Sequence, residues 1–155
     1  LSFYANTTIY IIAALFAALG TLDQLISTAS ELPFSKVISR EAMELKLLIL
    51  LGVFVVAYFK FTWSLRQFNL LSITLGSVPE HADEEEMEKQ ARKFAAVNSC
   101  AGNDFNRGLR AYYFGMAVMS WMVSPWLFLF STTLIVVVLA RREFSSPVLK
   151  ALIDH

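Results

Sequence analysis

The sequence predicts an all-α integral membrane protein: four transmembrane helices, the last two a tight hairpin, plus a polar helix on the cytoplasmic side. Three observations carry that reading. Hydrophobic residues make up 56% of the 155 positions, and the mean hydropathy is +0.54. A small domain has too high a surface-to-volume ratio to bury so much apolar surface. The apolar residues also gather in long stretches without charge, the longest covering residues 111–140. Finally, the basic residues fall unevenly on the two sides of the spans that these stretches define. The length suits one domain, taken as residues 1–155.

The first charge-free stretch covers residues 1–22 and stops at Asp23. About 20 helical residues cross a hydrocarbon core of about 30 Å, so a span over residues 3–26 is expected. A cleaved signal peptide is the competing reading. No basic segment precedes the stretch, and the apolar run is longer than such peptides carry. Ala13, Ala14, Ala17, Ala18 and Gly20 would let a neighbouring helix come close.

A polar connection over residues 27–44 follows, containing Pro33, Glu31, Lys36, Arg40, Glu41 and Glu44. Ser39 is placed to cap the next helix. The second span is expected over residues 45–65. Its uncharged heart, residues 47–59, is short, so Lys46 and Lys60 must extend toward opposite interfaces. Residues 66–78 are mildly apolar and read as a continuation of that helix or a separate interfacial one. Ser77-Val78-Pro79-Glu80 reads as a capping box opening a polar helix over about 79–99. Acidic residues come first there (Asp83, Glu84, Glu85, Glu86, Glu88) and basic ones later (Lys89, Arg92, Lys93), as the helix dipole favours. Residues 66–103 are thus a cytoplasmic or interfacial segment.

A single helix over residues 111–140 would be about 45 Å long. Fitting it to the bilayer core needs a tilt of roughly 48°, beyond the usual range. Ser124-Pro125 interrupts the stretch, because proline disfavours helix at the residue before it. Trp121 and Trp126 flank the break as headgroup-level residues would. Spans over 104–123 and 126–141 are therefore expected, as a hairpin. Four spans put both termini on one side, together with Lys60, Arg66, Lys89, Arg92, Lys93, Arg107, Arg110, Arg141, Arg142 and Lys150. Only Lys36, Arg40 and Lys46 fall opposite, which orients the larger set to the cytoplasm of a cytoplasmic (inner) membrane.

Little in the chain points to chemistry. A formal net charge of zero removes any overall attraction to nucleic acid. The single Cys100 excludes an intrachain disulfide and a cysteine zinc cluster. With His81 and His155 as the only histidines, haem or copper ligation is not expected. His81 beside Asp83, Glu84 and Glu85 reads as a solvated acidic helix start. No nucleophile–base set, glycine-rich phosphate loop or paired carboxylates stand out, so neither an enzyme nor a cofactor is expected. The candidates are polar. Lys60, Arg66 and Asn69 lie in the run Phe59-Lys60-Phe61-Thr62-Trp63-Ser64-Leu65-Arg66-Gln67-Phe68-Asn69, where contact with lipid phosphates is favoured over an ion pathway. Asn103-Asp104-Phe105-Asn106-Arg107-Gly108-Leu109-Arg110 opens the third span, with Asp104 as its cap, paired to Arg107 or Arg110. This stretch could instead anchor an anionic headgroup or dock against Arg66 and Asn69. Asp23 is read as interfacial, with Lys46 as a possible partner across the bundle.

Three segments resemble the domain of unknown function 599 family of small bacterial membrane proteins: the run from Phe59 through Asn69, Asn106-Arg107-Gly108-Leu109-Arg110-Ala111-Tyr112-Tyr113-Phe114, and Arg141-Arg142-Glu143-Phe144-Ser145-Ser146. The likeness covers essentially the whole chain. It implies a helical, multi-spanning protein and no particular activity. It draws attention to Lys60 with Arg66 and Asn69, to Asn106 with Arg107 and Arg110, and to Arg142 with Glu143. These helix ends would meet as a polar network or as contacts to lipid headgroups. The expected function is a non-catalytic accessory or structural subunit of a larger membrane complex, with lipids and other membrane subunits as partners. The alternative is a small homo-oligomeric transporter or channel in which Lys60 and Arg66 line an anion path.

Overall fold

Two long helices form the axis of the molecule in a computed structural model that describes residues 1–31, 39–77 and 83–144, with side chains as far as Arg141. In chain order the helices are α1 (Ser2–Gly20), α2 (Leu22–Ser30), α3 (Arg40–Gly76), α4 (Glu84–Trp121) and α5 (Pro125–Phe144). α3 and α4 have 37 and 38 residues, about 55 Å each at 1.5 Å per residue. They run antiparallel along nearly their whole lengths.

Their packing follows a repeat. The buried residues of α3 are Met43, Leu47, Leu50, Phe54, Ala57, Phe61 and Ser64, spaced alternately four and three apart. On α4 the stripe Gln90, Phe94, Val97, Ala101, Asp104, Gly108, Ala111, Gly115, Val118 and Met122 has the same spacing, and none of these residues is exposed. A 3.5-residue period keeps one seam facing the partner along a pair of supercoiled helices. The close approach comes from small residues of α4: Gly108 lies against the Phe61 ring and Gly115 against the Phe54 ring. Small residues had been expected to play that part on α1. Ala13, Ala14, Ala17 and Gly20 are exposed instead, because α1 turns Ala5, Thr8 and Leu15 inward.

α1 lies along α3. Ala5 packs with Ala57, Phe61 and Leu109, while Leu15 joins Met43, Leu47, Leu50 and Phe54 near the other end. Tyr4 stacks on Phe61 at 5.5 Å and meets the edges of Phe105 and Tyr112 at 5.9 and 5.8 Å. The first apolar stretch does not continue as one helix to residue 26. It breaks at Thr21, whose φ of −117° and ψ of 33° leave the helical region. Gly20 is a weak helix former there, and the Thr21 hydroxyl donates to the Ala17 carbonyl at 3.0 Å, closing the turn.

The segment after Arg66 is a continuation of α3 to Gly76. Ser77 does not open the next helix: its hydroxyl donates to the Thr74 carbonyl at 2.8 Å and closes α3. Val78, Pro79 and Glu80, the rest of the expected capping box, lie outside the described residues. α4 starts at Glu84 with Asp83 as N-cap, and the expected polar helix and third span are one helix. At the start of α3 the Ser39 hydroxyl accepts from the Ala42 amide at 3.3 Å, as its position suggested.

The hairpin is present. α4 ends at Trp121, the amides of Met122 and Val123 donate to Met119 and Ser120, and Pro125 begins α5. Lys46 joins α3 to this corner, donating to the Trp121 carbonyl at 3.3 Å with its ammonium 4.8 Å from the indole centroid. Asp23 therefore pairs with Arg40, at 3.3 Å, and not with Lys46. α5 packs mainly on α4, and none of its described residues is buried. Two helices, α1 and α3, are long and apolar enough to cross a membrane, and Pro125–Arg141 is a shorter apolar stretch. The apolar half of α4 is interrupted by Asp104, Arg107 and Arg110.

Candidate functional site

On α3, Lys60, Ser64 and Gln67 are four and three residues apart, so they share one helical face. That face belongs to the seam with α4. Opposite it, Ala101 and Asp104 occupy successive positions of the α4 stripe. The Lys60 ammonium donates to Asp104 Oδ1 at 3.0 Å, and Gln67 Nε2 donates to Asp104 Oδ2 at 2.9 Å. One turn away, the buried Ser64 hydroxyl donates to the Ala101 carbonyl at 2.8 Å. The Asp104 side chain is 16% exposed and that of Lys60 37%, so the carboxylate is well shielded while the ammonium reaches the edge. Gln67 Oε1 is buried and accepts no hydrogen bond from the described protein.

This cluster is a strut. Each carboxylate oxygen accepts a hydrogen bond across the seam, Oδ1 from a cation and Oδ2 from an amide, so Asp104 ties α4 to α3 at two points. A charge-assisted bond of this kind is stronger than a neutral one, and leaving any member of a half-buried cluster unpaired is costly. No group of three or more His, Cys, Asp and Glu residues able to hold a metal occurs among the described residues. His81 lies outside them.

A family comparison covers the chain from residue 1 to residue 148 and therefore spans all five helices and the strut; its description is "Protein of unknown function, DUF599". The chain belongs to the DUF599 family. No curated protein and no solved structure matches it.

The other polar residues singled out in this DUF599 protein are distributed around the strut. Arg66 is exposed, with its guanidinium 5.9 Å from the Trp63 ring, and Asn69 is exposed on the same side of α3. Asn106, Arg107 and Arg110 are exposed on α4. Asp104 is not a helix cap: it lies in the interior of α4, and its carboxylate reaches across to α3. It docks on Lys60 and Gln67, not on Arg66 and Asn69, because the latter two point away from the seam. The side chains of Arg142 and Glu143 lie outside the described residues. Gln67 and Ser64 lie in the run that carries Lys60 and Arg66, but the sequence alone does not mark them as site residues. Their signal was the spacing Lys60-x-x-x-Ser64-x-x-Gln67, which sets three polar residues on one face of the helix.

Proposed function

We propose that this DUF599 protein spans the cytoplasmic membrane four times, through α1, α3, the apolar half of α4 and α5, with both termini cytoplasmic. In this reading it serves as a non-catalytic accessory or structural subunit of a larger membrane complex. The observation that carries the proposal is α5. It packs mainly on α4, and Trp126, Phe130 and Leu129 remain 80%, 70% and 56% exposed. An apolar helix held on one side only has surface to give to lipid or to a neighbouring helix. The strut adds to this reading. Lys60 is matched by Asp104 within the seam, which suits a fixed scaffold better than an anion path through Lys60 and Arg66.

Extraction from native membranes in a mild detergent, followed by native mass analysis, tests the proposal. A fixed stoichiometry with another integral membrane subunit is the expected result. A lone monomer or a pure homo-oligomer would overturn it.

A further inference from the structure

Four helices change character at the same two heights. At one end Ala5 packs with Ala57, Phe61 and Leu109, and a Cβ at Gly108 would stand 3.3 Å from Cβ of Lys60. Asn6, Lys60 and Arg107 are therefore level, and counting along the α4–α5 hairpin from its turn brings Arg141 to the same height. At the other end Lys46 donates to the Trp121 carbonyl at 3.3 Å, while Leu22 joins Met43 and Leu47. Thr21, Lys46, Trp121 and Trp126 mark that second level. Just past it, the exposed residues of α2 are Asp23, Gln24, Ser27, Thr28 and Ser30, all polar, and its Leu25, Ile26 and Ala29 turn to the core. Such a helix faces water, so the apolar belt ends where α1 breaks at Thr21.

The two levels are 14 or 15 residues apart on α1, α3, α4 and α5 alike, which at 1.5 Å per residue is about 21–23 Å. Between them these four stretches hold one charge, Arg110, a turn inside Arg107. Tyr10 is 73% exposed one turn inside Asn6, and helical side chains lean toward the N-terminus, which carries its hydroxyl toward that level. A usual hydrocarbon core is about 30 Å thick. We propose that the lipid partner of this protein is phospholipid with short acyl chains, gathered as a thin bilayer around the belt. The proposal rests on the membrane reading above, but not on the accessory role.

A short span is relieved by snorkelling, by oligomerising or by thinning the bilayer. Snorkelling is foreclosed for both lysines of α3, since Lys46 is held by the Trp121 carbonyl and Lys60 by Asp104 at 3.0 Å. Arg107 and Arg141 can reach outward at one end only. A neighbouring subunit along α5 would leave Phe16 of α1 and Leu48 of α3 facing lipid, at 59% and 49% exposed. Past Lys60 the surface of α3 stays apolar at Trp63, a headgroup-level residue, but α4 alongside it exposes Asn103, Asn106 and Arg107. A thicker core would have to cover those three. Thinning is what remains.

The test uses the full chain in nanodiscs of phosphatidylcholine whose acyl chains lengthen from myristoleoyl through oleoyl to eicosenoyl. The melting temperature should be highest in the myristoleoyl discs and fall by about 5 °C or more toward the longest chains. In a Cys100→Ser background, single cysteines replacing Asn6, Ala13 and Thr21 are then treated with a membrane-impermeant maleimide offered to both faces of the oleoyl discs. Asn6→Cys and Thr21→Cys should react, and Ala13→Cys, midway between them, should not. A melting temperature that is highest at oleoyl or longer, or indifferent to chain length, overturns the proposal, as does protection of Asn6→Cys or Thr21→Cys. With Ala13→Cys still protected, those results leave the membrane reading standing. A reactive Ala13→Cys removes the membrane reading and the thin belt together.

Discussion

A single methyl group at Gly108 should separate packing from helix propensity. A Cβ built there would stand 2.8 Å from both Cδ1 and Cε1 of Phe61 and 3.3 Å from Cβ of Lys60. Phe61 is fully buried, and its ring is held by Tyr4 at 5.5 Å, Phe105 at 5.9 Å and Tyr112 at 6.3 Å. It has no direction in which to yield, so α4 must move outward or the ring must leave its rotamer. Overpacking of that kind costs about 1–3 kcal/mol. Replacing glycine by alanine inside a helix also contributes about 1 kcal/mol of stability. Gly102, one and a half turns earlier on the same helix, has nothing within 4 Å of a built Cβ and receives the propensity gain alone. Comparing Gly108→Ala with Gly102→Ala therefore cancels the propensity and leaves the clash. For a chain of this size the difference corresponds to about 5 °C in melting temperature. Thermal unfolding in a detergent or nanodisc, followed by circular dichroism, reads it directly. Gly102→Ala should melt at or above the parent and Gly108→Ala below it. Equal melting temperatures for the two variants would refute the close approach of α3 and α4 at Phe61.

The strut and the ends of the helices give two further predictions. Asp104→Ala, which leaves the Lys60 ammonium and the Gln67 amide without their acceptor, should cost about 1–3 kcal/mol, less than a fully buried pair because Lys60 reaches the edge. Lys60→Met combined with Asp104→Leu should recover most of that loss, and strictly additive melting shifts in the double-mutant cycle would show the pair to be uncoupled. Ser39→Ala, which removes the N-cap of α3, should cost about 1 kcal/mol, whereas Asp23→Ala should leave stability unchanged because its ion pair with Arg40 is largely exposed. The same unfolding assay checks both, and an Asp23 effect as large as that of Ser39 would contradict the ranking.

Which parts of this architecture can be read from sequence depends on whether the signal is local. The turn at Ser124-Pro125 and the cap at Ser39 are local, and both are where the residues suggested. The break at Thr21 was also marked locally, by Gly20 and the threonine hydroxyl, but the unbroken apolar composition on both sides concealed it. The seam of α3 was hidden for a related reason: Leu48, Ile49, Val53 and Val56 are as apolar as Leu47, Leu50 and Phe54, so hydropathy shows no stripe. α4 misled in the opposite direction. Gly102, Asn103 and Asp104 resemble a helix start, yet the helix runs through them because Ala101 and Asp104 are engaged by α3. The pairing of Gln67 with Asp104 is not legible in the sequence, since the two are 37 residues apart and only the antiparallel register brings them together.

That register is itself the best account of why a charged pair sits in an apolar seam. Ala101, Gly108 and Gly115 recur every seven residues, and so do Phe54, Phe61 and Phe68. Sliding α4 by one heptad in either direction would still set small residues against large ones, so packing alone leaves several registers close in energy. Asp104 breaks the tie. In the observed register it lies between Lys60 and Gln67 and binds both. Moved one way, it would lie between Val53 and Lys60 and lose the amide; moved the other way, it would lie between Gln67 and Thr74 and lose the ammonium. A polar group in such a seam lowers stability relative to a well-packed apolar one, and its best-attested use is to fix pairing. The strut therefore fixes the height of α4 against α3.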